Sequence, residues 1–393
     1  MAPPLWNAFW GTAVLLPLSF LVSTIFNTRR TEDSSYALWS TLLLRLCRLR
    51  LDIFILCPQY GLYVTPSTPP NLDPDTSISS SRTVFDNQAR GVFVDNCLIL
   101  PEVETTQHPN MMGKSLLEYL ASFFETQSFF SETDVCTVNA TVPIIVEQKR
   151  PPSRHPRDIL AYYTQVQDLL KKASKQASDQ GHCLFSMPRF GHQEQVMLIA
   201  ASGVWWRFCL KRRADVADRI FNFTRFRETH LSRADEDDDA VDDESDLLTT
   251  PAEAEESATK REEARRQERQ KSGSDAREER MRRRDQLREE IWKRGDAKDR
   301  LKKFVGLIGK GPYTLEELDE CSRLVEESQG NVPVPFSNQF DGELQIGDPR
   351  LIEWSGPMRL GTPVSDKYMA FIKNILADLA KNEERRRNGG GAQ

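Results

Sequence analysis

No two of the seven cysteines (Cys47, Cys57, Cys97, Cys136, Cys183, Cys209 and Cys321) are spaced as CxxC. None pairs with a nearby histidine in a metal-ligand pattern, so the chain lacks the usual zinc or thioredoxin-like signatures. The thiols read as those of a reduced, intracellular protein, nuclear or cytoplasmic. Histidine is scarce as well. His108 and His155 stand alone in polar stretches, and His182 and His192 flank "CLFSMPRFG" as solvent-facing loop residues. "VGLIGKGPYT" has glycines and Lys310 but lacks the phosphate-loop spacing. No serine or cysteine nucleophile motif and no internal repeat is present.

Charge is missing from Leu5 to Asn27, and Arg29-Arg30 follow. The length of that run suits a membrane anchor through residues 5–27, with the arginines holding the rest of the chain on the cytosolic side. Pro17, Gly11 and Asn7 make it weakly apolar, and no basic residue precedes it, which argues against a signal peptide. The other reading is an apolar N-terminal helix packed on the domain.

What is present is charge elsewhere and a large apolar middle. With 393 residues the chain can bury a sizeable core, as one large domain or two small ones. Charged residues make up 28% of it, and the mean hydropathy is −0.52. The net charge of −6 argues against a uniformly basic nucleic-acid binder, though it averages over very different segments.

Composition divides the chain into an apolar leader (1–30), an α/β core (31–230), a charged linker (231–303) and a C-terminal helical segment that docks on the core (304–393). The linker opens with "DEDDDAVDDESD", nine acids in twelve residues, which cannot bury enough surface to fold. Glu262 and Arg266 exemplify the four-apart pairs that follow, suited to an exposed, coiled-coil-like charged helix whose heptads lack apolar residues.

Within the core, apolar spacing predicts a helix over 35–49 and a strand over 52–63. A polar loop follows in "NLDPDTSISSSRT". "GVFVDNCLIL" is a strand stopped by Pro101, "KSLLEYLASFF" a helix, and "VCTVNATVPIIVEQ" a strand pair or one long strand. Residues 158–177 form a strong amphipathic helix. "HCLFSMP", "EQVMLIAA" and "VWWRFCLKR" read as short strands, the last two joined by a hairpin turn at 201–203. Toward the C-terminus "TLEELDECSRLVEE" carries a capping box at Thr314. "YMAFIKNILADLAK" is a second helix with Ser365 as its cap.

"VPIIVEQKRPPSR" holds the chemistry. An apolar strand ends in Glu147-Gln148-Lys149, and residues two apart on a strand share a face. A carboxylate there suits a hard divalent cation, and the lysine beside it supplies a point charge for phosphate or water. A second carboxylate belongs on a neighbouring strand. Asp95 fits, an acid inside the apolar run "RGVFVDNCLIL". Glu102, Glu104 and Asp134 are alternatives.

An acid on one strand, Glu-x-Lys ending the next, then a helix with glutamines ("YYTQVQDLL") and further strands, resembles the PD-(D/E)XK superfamily of restriction-endonuclease-like nucleases. The resemblance covers roughly residues 35–212. More narrowly, the chain resembles fungal proteins that carry such a domain. It departs from the family pattern in having Val94, not proline, before the acid.

The resemblance implies an α/β fold, a mixed central sheet flanked by helices, with the charged segment and C-terminal helices appended. It implies metal-dependent hydrolysis of DNA or RNA with Mg2+ or Mn2+. Asp95 and Glu147 would be metal ligands, Lys149 would position water, and Gln165 would be an auxiliary residue with Gln167 as substitute. The alternative is a catalytically inactive interaction module on the same fold, membrane-tethered through its leader.

Overall fold

Among its described residues, the computed structural model has twelve α-helices and β-strands and two short 3-10 helices. It describes residues 11–22, 33–48, 50, 53–64, 90–105, 135–216, 282, 296–309, 313–330, 344–345, 348 and 351–389. The twelve are α1 (Gly11–Val22), α2 (Asp33–Leu46), β1 (Ile55–Val64), β2 (Arg90–Thr105), β3 (Val135–Lys149), α3 (Ile159–Ser186), β4 (Gln195–Ser202), β5 (Trp205–Arg212), α4 (Ala297–Ile308), α5 (Leu315–Gln329), β6 (Met358–Arg359) and α6 (Pro363–Gly389). The expected loop at 71–83 and helix at 114–124 lie outside the described residues. So does the charged linker, except Arg282 and the residues from Asp296 onward.

The strands form one mixed sheet in the order β1-β2-β3-β4-β5-β6. β3 and β4 are parallel and every other pair is antiparallel. A parallel pair needs a long crossover, and α3 supplies it. Helices cover both faces. Leu38, Trp39, Leu42, Leu43 and Leu46 of α2 pack with Tyr368, Ile372 and Leu376 of α6 against Ile144, Val146, Ile199 and Phe208. On the opposite face α3 approaches β4 closely enough that a Cβ on Gly181 would stand 3.4 Å from Leu198.

The chain divides into two compact units. The first holds residues 1–154, 164–223 and 336–393, and the second holds 155–163 and 224–335. In the second, α5 carries the capping box read from the sequence. Thr314 Oγ1 accepts from Glu317 N at 3.2 Å, and Glu317 Oε2 accepts from Thr314 N at 2.8 Å.

Several elements differ from the sequence reading. Pro101 does not stop β2, which continues to Thr105. β1 pairs with β2 only as far as Ile99, so the missing N–H of Pro101 faces no lost partner on that side. β3 is one strand, and its Pro143 falls where the register slips between Leu98 and Leu100, a bulge that tolerates proline. "HCLFSMP" is not a strand. α3 runs on to Ser186 because Ala177, Leu184 and Gln180 continue its buried stripe, and Pro188 ends the run. α4 begins at Ala297, inside the stretch read as linker.

At α6 the cap is Thr362, whose Oγ1 accepts from Ser365 N at 3.3 Å, with Pro363 at the first helical position. Ser365 is instead fully buried and accepts from Trp206 Nε1 at 3.0 Å. Trp205 and Trp206 are core residues.

The β4–β5 turn needs its glycine. Gly203 has φ +58°, and an added Cβ would meet Pro151 at 2.9 Å. Among the described residues no helix is long and apolar enough to cross a membrane.

Candidate active site

β2 and β3 bring Asp95 and Glu147 together. Their antiparallel register pairs Asn96 with Val146, which sets Asp95 opposite Glu147 one step along. Asp95 is half-buried and Glu147 buried. The Asp95 charge acts on the Glu147 carboxyl. Lys149, two residues on and on the same face, donates from Nζ to Glu147 Oε1 at 3.0 Å.

Each carboxylate oxygen also meets a protein donor. Asp95 Oδ2 accepts from Gln148 N at 2.6 Å, and Asp95 Oδ1 from the Tyr36 hydroxyl of α2 at 3.2 Å. Glu147 Oε2 accepts from Gln180 Nε2 at 2.6 Å. The same Gln180 nitrogen reaches the carbonyl of Phe93 at 2.8 Å, tying α3 to both strands at once.

Burial dominates the electrostatics. It raises the Glu147 carboxyl from its ordinary 4.5 to about 8; the Asp95 charge pushes the same way, and Lys149 and the Gln180 amide pull back. Asp95 is also raised by burial, against the pull of the Gln148 N–H, Lys149, Tyr36 and Glu147. The two therefore titrate as a pair that keeps one proton between them near neutrality.

Gln165, expected to assist, is engaged elsewhere: its Oε1 accepts from Ser153 N at 2.7 Å. The glutamine of α3 that touches the carboxylates is Gln180, which the sequence reading missed because it ended the helix at Ala177. Its signal was a polar residue standing in the apolar stripe between Ala177 and Leu184.

Of the alternative acids, Glu102 pairs with Arg386 at 2.8 Å. Several basic residues near the site in sequence serve the backbone. Arg213 donates to the carbonyls of Phe185, Phe190 and Gln193, Arg207 to that of Ser355, and Arg154 to that of Leu21. The six cysteines whose side chains are described form no disulfide. Burial pushes Cys183 and Cys321 up to about 12 and Cys209 to about 11, which removes them as nucleophiles.

A hard divalent cation fits this donor set. Two carboxylates held against each other in a poorly solvated place need a proton or a cation between them. Among the described residues no group of three or more His, Cys, Asp and Glu side chains could hold a metal. Two carboxylates suffice for Mg2+, which completes its shell with water and substrate phosphate.

No protein-family model, no curated protein and no solved structure matches the chain.

Proposed function

We propose that the Asp95–Glu147–Lys149 cluster is the centre of a metal-dependent nuclease that hydrolyses nucleic-acid phosphodiesters. The observation that carries this reading is the pairing of two carboxylates from adjacent strands with Lys149 donating to one of them. Its support in the fold is the order of elements. A helix, an antiparallel three-strand meander, a long helix and a strand parallel to the third carry the acid on the second strand and Glu-x-Lys at the end of the third. That is the arrangement implied by the resemblance to restriction-endonuclease-like domains.

In this reading Asp95 and Glu147 would hold Mg2+ or Mn2+, which would supply Lewis acidity toward the phosphate and the attacking water. Lys149 sets a fixed positive charge beside the carboxylates, where it orients the attacking water and offsets phosphate charge. Gln180 and Tyr36 hold the two carboxylates in place by hydrogen bonds. Water oxygen bonds to phosphorus and gives up a proton to solvent, the bond from phosphorus to the leaving sugar oxygen breaks, and that oxygen takes up a proton from solvent.

One observation favours a second reading, an inactive interaction module. All four oxygens of Asp95 and Glu147 already accept from protein donors, so the cluster is self-satisfied as a buried polar knot.

The test is cleavage of single- and double-stranded DNA and RNA by the full chain with Mg2+ or Mn2+, beside Glu147→Gln and Lys149→Met. Cleavage by the wild type that is lost in both variants supports the nuclease. No cleavage, with no rise in thermal stability on adding either cation, supports the inactive module.

A further inference from the structure

Cys57 of β1 and Cys97 of β2 stand directly opposite each other in the antiparallel ladder. Residues so placed put their side chains on one face of the sheet, with Cα atoms about 4.5–5.5 Å apart. A disulfide spans Cα separations of about 4.4–6.8 Å, so the backbone already stands within its reach. The two thiols also act on each other: burial pushes the Cys97 thiol well above its ordinary range, and the Cys57 charge pushes it the same way. Other cysteines are placed differently. Cys183 Sγ donates to the Leu62 carbonyl at 3.8 Å, and Cys209 Sγ to the Ile352 carbonyl at 3.1 Å. Cys209 stands opposite Leu198, and on its other side Cys97 faces no cysteine.

The closure that a bond requires is small. Cβ atoms of opposite residues lie about 4.5–5.5 Å apart, and those of a disulfide about 3.5–4.5 Å, so β1 must move in by about 1 Å. β1 is the end strand of the sheet and pairs there with β2. Gln59, two residues beyond Cys57, has φ +50°. That left-handed conformation is rare for a residue with a side chain and breaks the regular strand just beside the thiol. An end strand with an irregular residue yields more readily than a central one.

We propose that Cys57 and Cys97 are a redox site, forming a reversible cross-strand disulfide that clamps β1 onto β2, the strand that carries Asp95. The oxidant is a small disulfide such as oxidised glutathione. Cys57 is half-buried and Cys97 fully buried, so Cys57 meets it first. Cys57 Sγ, as thiolate, bonds to one sulfur of the small disulfide. That molecule's S–S bond breaks, and its other sulfur leaves as a thiolate that takes up the proton Cys57 gave up. Cys97 Sγ, as thiolate, then attacks the Cys57 sulfur and displaces the second small thiol, which takes up the Cys97 proton. Two protein thiols are oxidised and one small disulfide is reduced to two thiols. Burial raises Cys57 as well as Cys97, so both are thiols near neutrality and the resting pair is reduced. The site stands whether or not the carboxylates hold a metal.

The experiment equilibrates the full-length protein at pH 8 in glutathione buffers from fully reduced to fully oxidised. Acid stops exchange, remaining thiols are alkylated, and unreduced peptides are mapped by mass spectrometry. The wild type is expected to give a peptide pair joined through Cys57 and Cys97 that dithiothreitol releases. Cys97→Ser should stop at a glutathione adduct on Cys57. Cys57→Ser should leave Cys97 about tenfold or more less modified, because oxidant reaches it poorly. Amide hydrogen exchange over residues 55–64 should slow by about tenfold or more in the oxidised wild type.

Both thiols remaining free in the fully oxidised buffer overturns the proposal. So does a bond from either of them to Cys183, or a 57–97 bond that forms only in urea, since the native strands would then hold the sulfurs apart. A 57–97 bond with unchanged exchange over β1 overturns the clamp. Should a serine variant fail to fold, the wild-type map and exchange rates decide, because they need no substitution.

Discussion

Gln180 Nε2 stands 2.6 Å from Glu147 Oε2 and 2.8 Å from the Phe93 carbonyl, so one amide group anchors α3 to both strands of the carboxylate pair. It is buried together with the acid it serves. Gln180→Met keeps the length and removes both bonds, leaving the buried Glu147 carboxyl and the part-buried Phe93 carbonyl without that donor. It is expected to destabilise the fold by about 1–3 kcal/mol in urea titrations. A change within about 0.5 kcal/mol, the range of an ordinary surface substitution, would remove Gln180 from this role.

The pH dependence of stability follows from the raised carboxyls. Glu147 titrates near 8 in the folded chain against 4.5 ordinarily, and Asp95 is raised too. Between those values the native state binds more protons than the unfolded state, so stability falls as pH rises from about 4.5 to about 8. With no divalent cation present, the slope approaches about 1.4 kcal/mol per pH unit for each proton involved. Glu147→Gln removes most of it and gains stability relative to wild type above pH 8. Urea midpoints in EDTA across that range check the sign, and a wild type and variant with parallel profiles would show that the pair does not titrate this way.

A divalent cation should act as the competitor of that proton. At pH 8 Mn2+ is expected to raise the melting temperature of the wild type, and the rise should shrink near pH 5 as protons reclaim the site. Asp95→Asn is expected to abolish it. Differential scanning fluorimetry reads both effects, and an equal rise in wild type and variant would place the cation elsewhere.

The strand chemistry was legible because period-two alternation is local. Val142, Ile144 and Val146 set one face of β3, so Glu147 and Lys149 had to share the other, and an acid amid the apolar residues of β2 marked Asp95. What depended on the neighbours was not legible. Pro101 looked like a stop because its tolerance depends on where β1 ends. The end of α3 looked like a strand because Gly181 and the apolar "CLF" weaken a helical reading. The reason for Gly181, its close approach to Leu198, exists only once β4 is in place. Ser365 looked like a cap because caps are read from residue type, whereas its buried hydroxyl serves a tryptophan distant in sequence.

That tryptophan yields a pair of contrasting substitutions. Ser365→Ala leaves the buried Trp206 indole N–H without its acceptor and is expected to lose about 1–3 kcal/mol. Thr362→Ala removes the helix cap and is expected to lose about 0.5–2 kcal/mol. Because the residues are close, the two losses need not add, and the double variant measures their coupling. Equal stability of Ser365→Ala and wild type by denaturant titration would mean that the indole finds another acceptor.

Behind the carboxylates, on the α2 face, Gln148 is fully buried, and neither atom of its amide has a hydrogen-bond partner among the described residues. The neighbouring Asn96 accepts from Ser40 Oγ through Oδ1, but its Nδ2 is likewise without a partner. A buried amide that makes no bond carries its full desolvation penalty. Gln148→Met fills the same volume without a polar group. It should therefore leave the fold as stable as wild type or raise it by about 1–3 kcal/mol, with the Asp95–Gln148 backbone bond intact. A loss of stability in urea would mean instead that ordered water bonds the two amides, as buried polar groups require. Asn96→Leu should then show the same loss, because both amides would draw on that water.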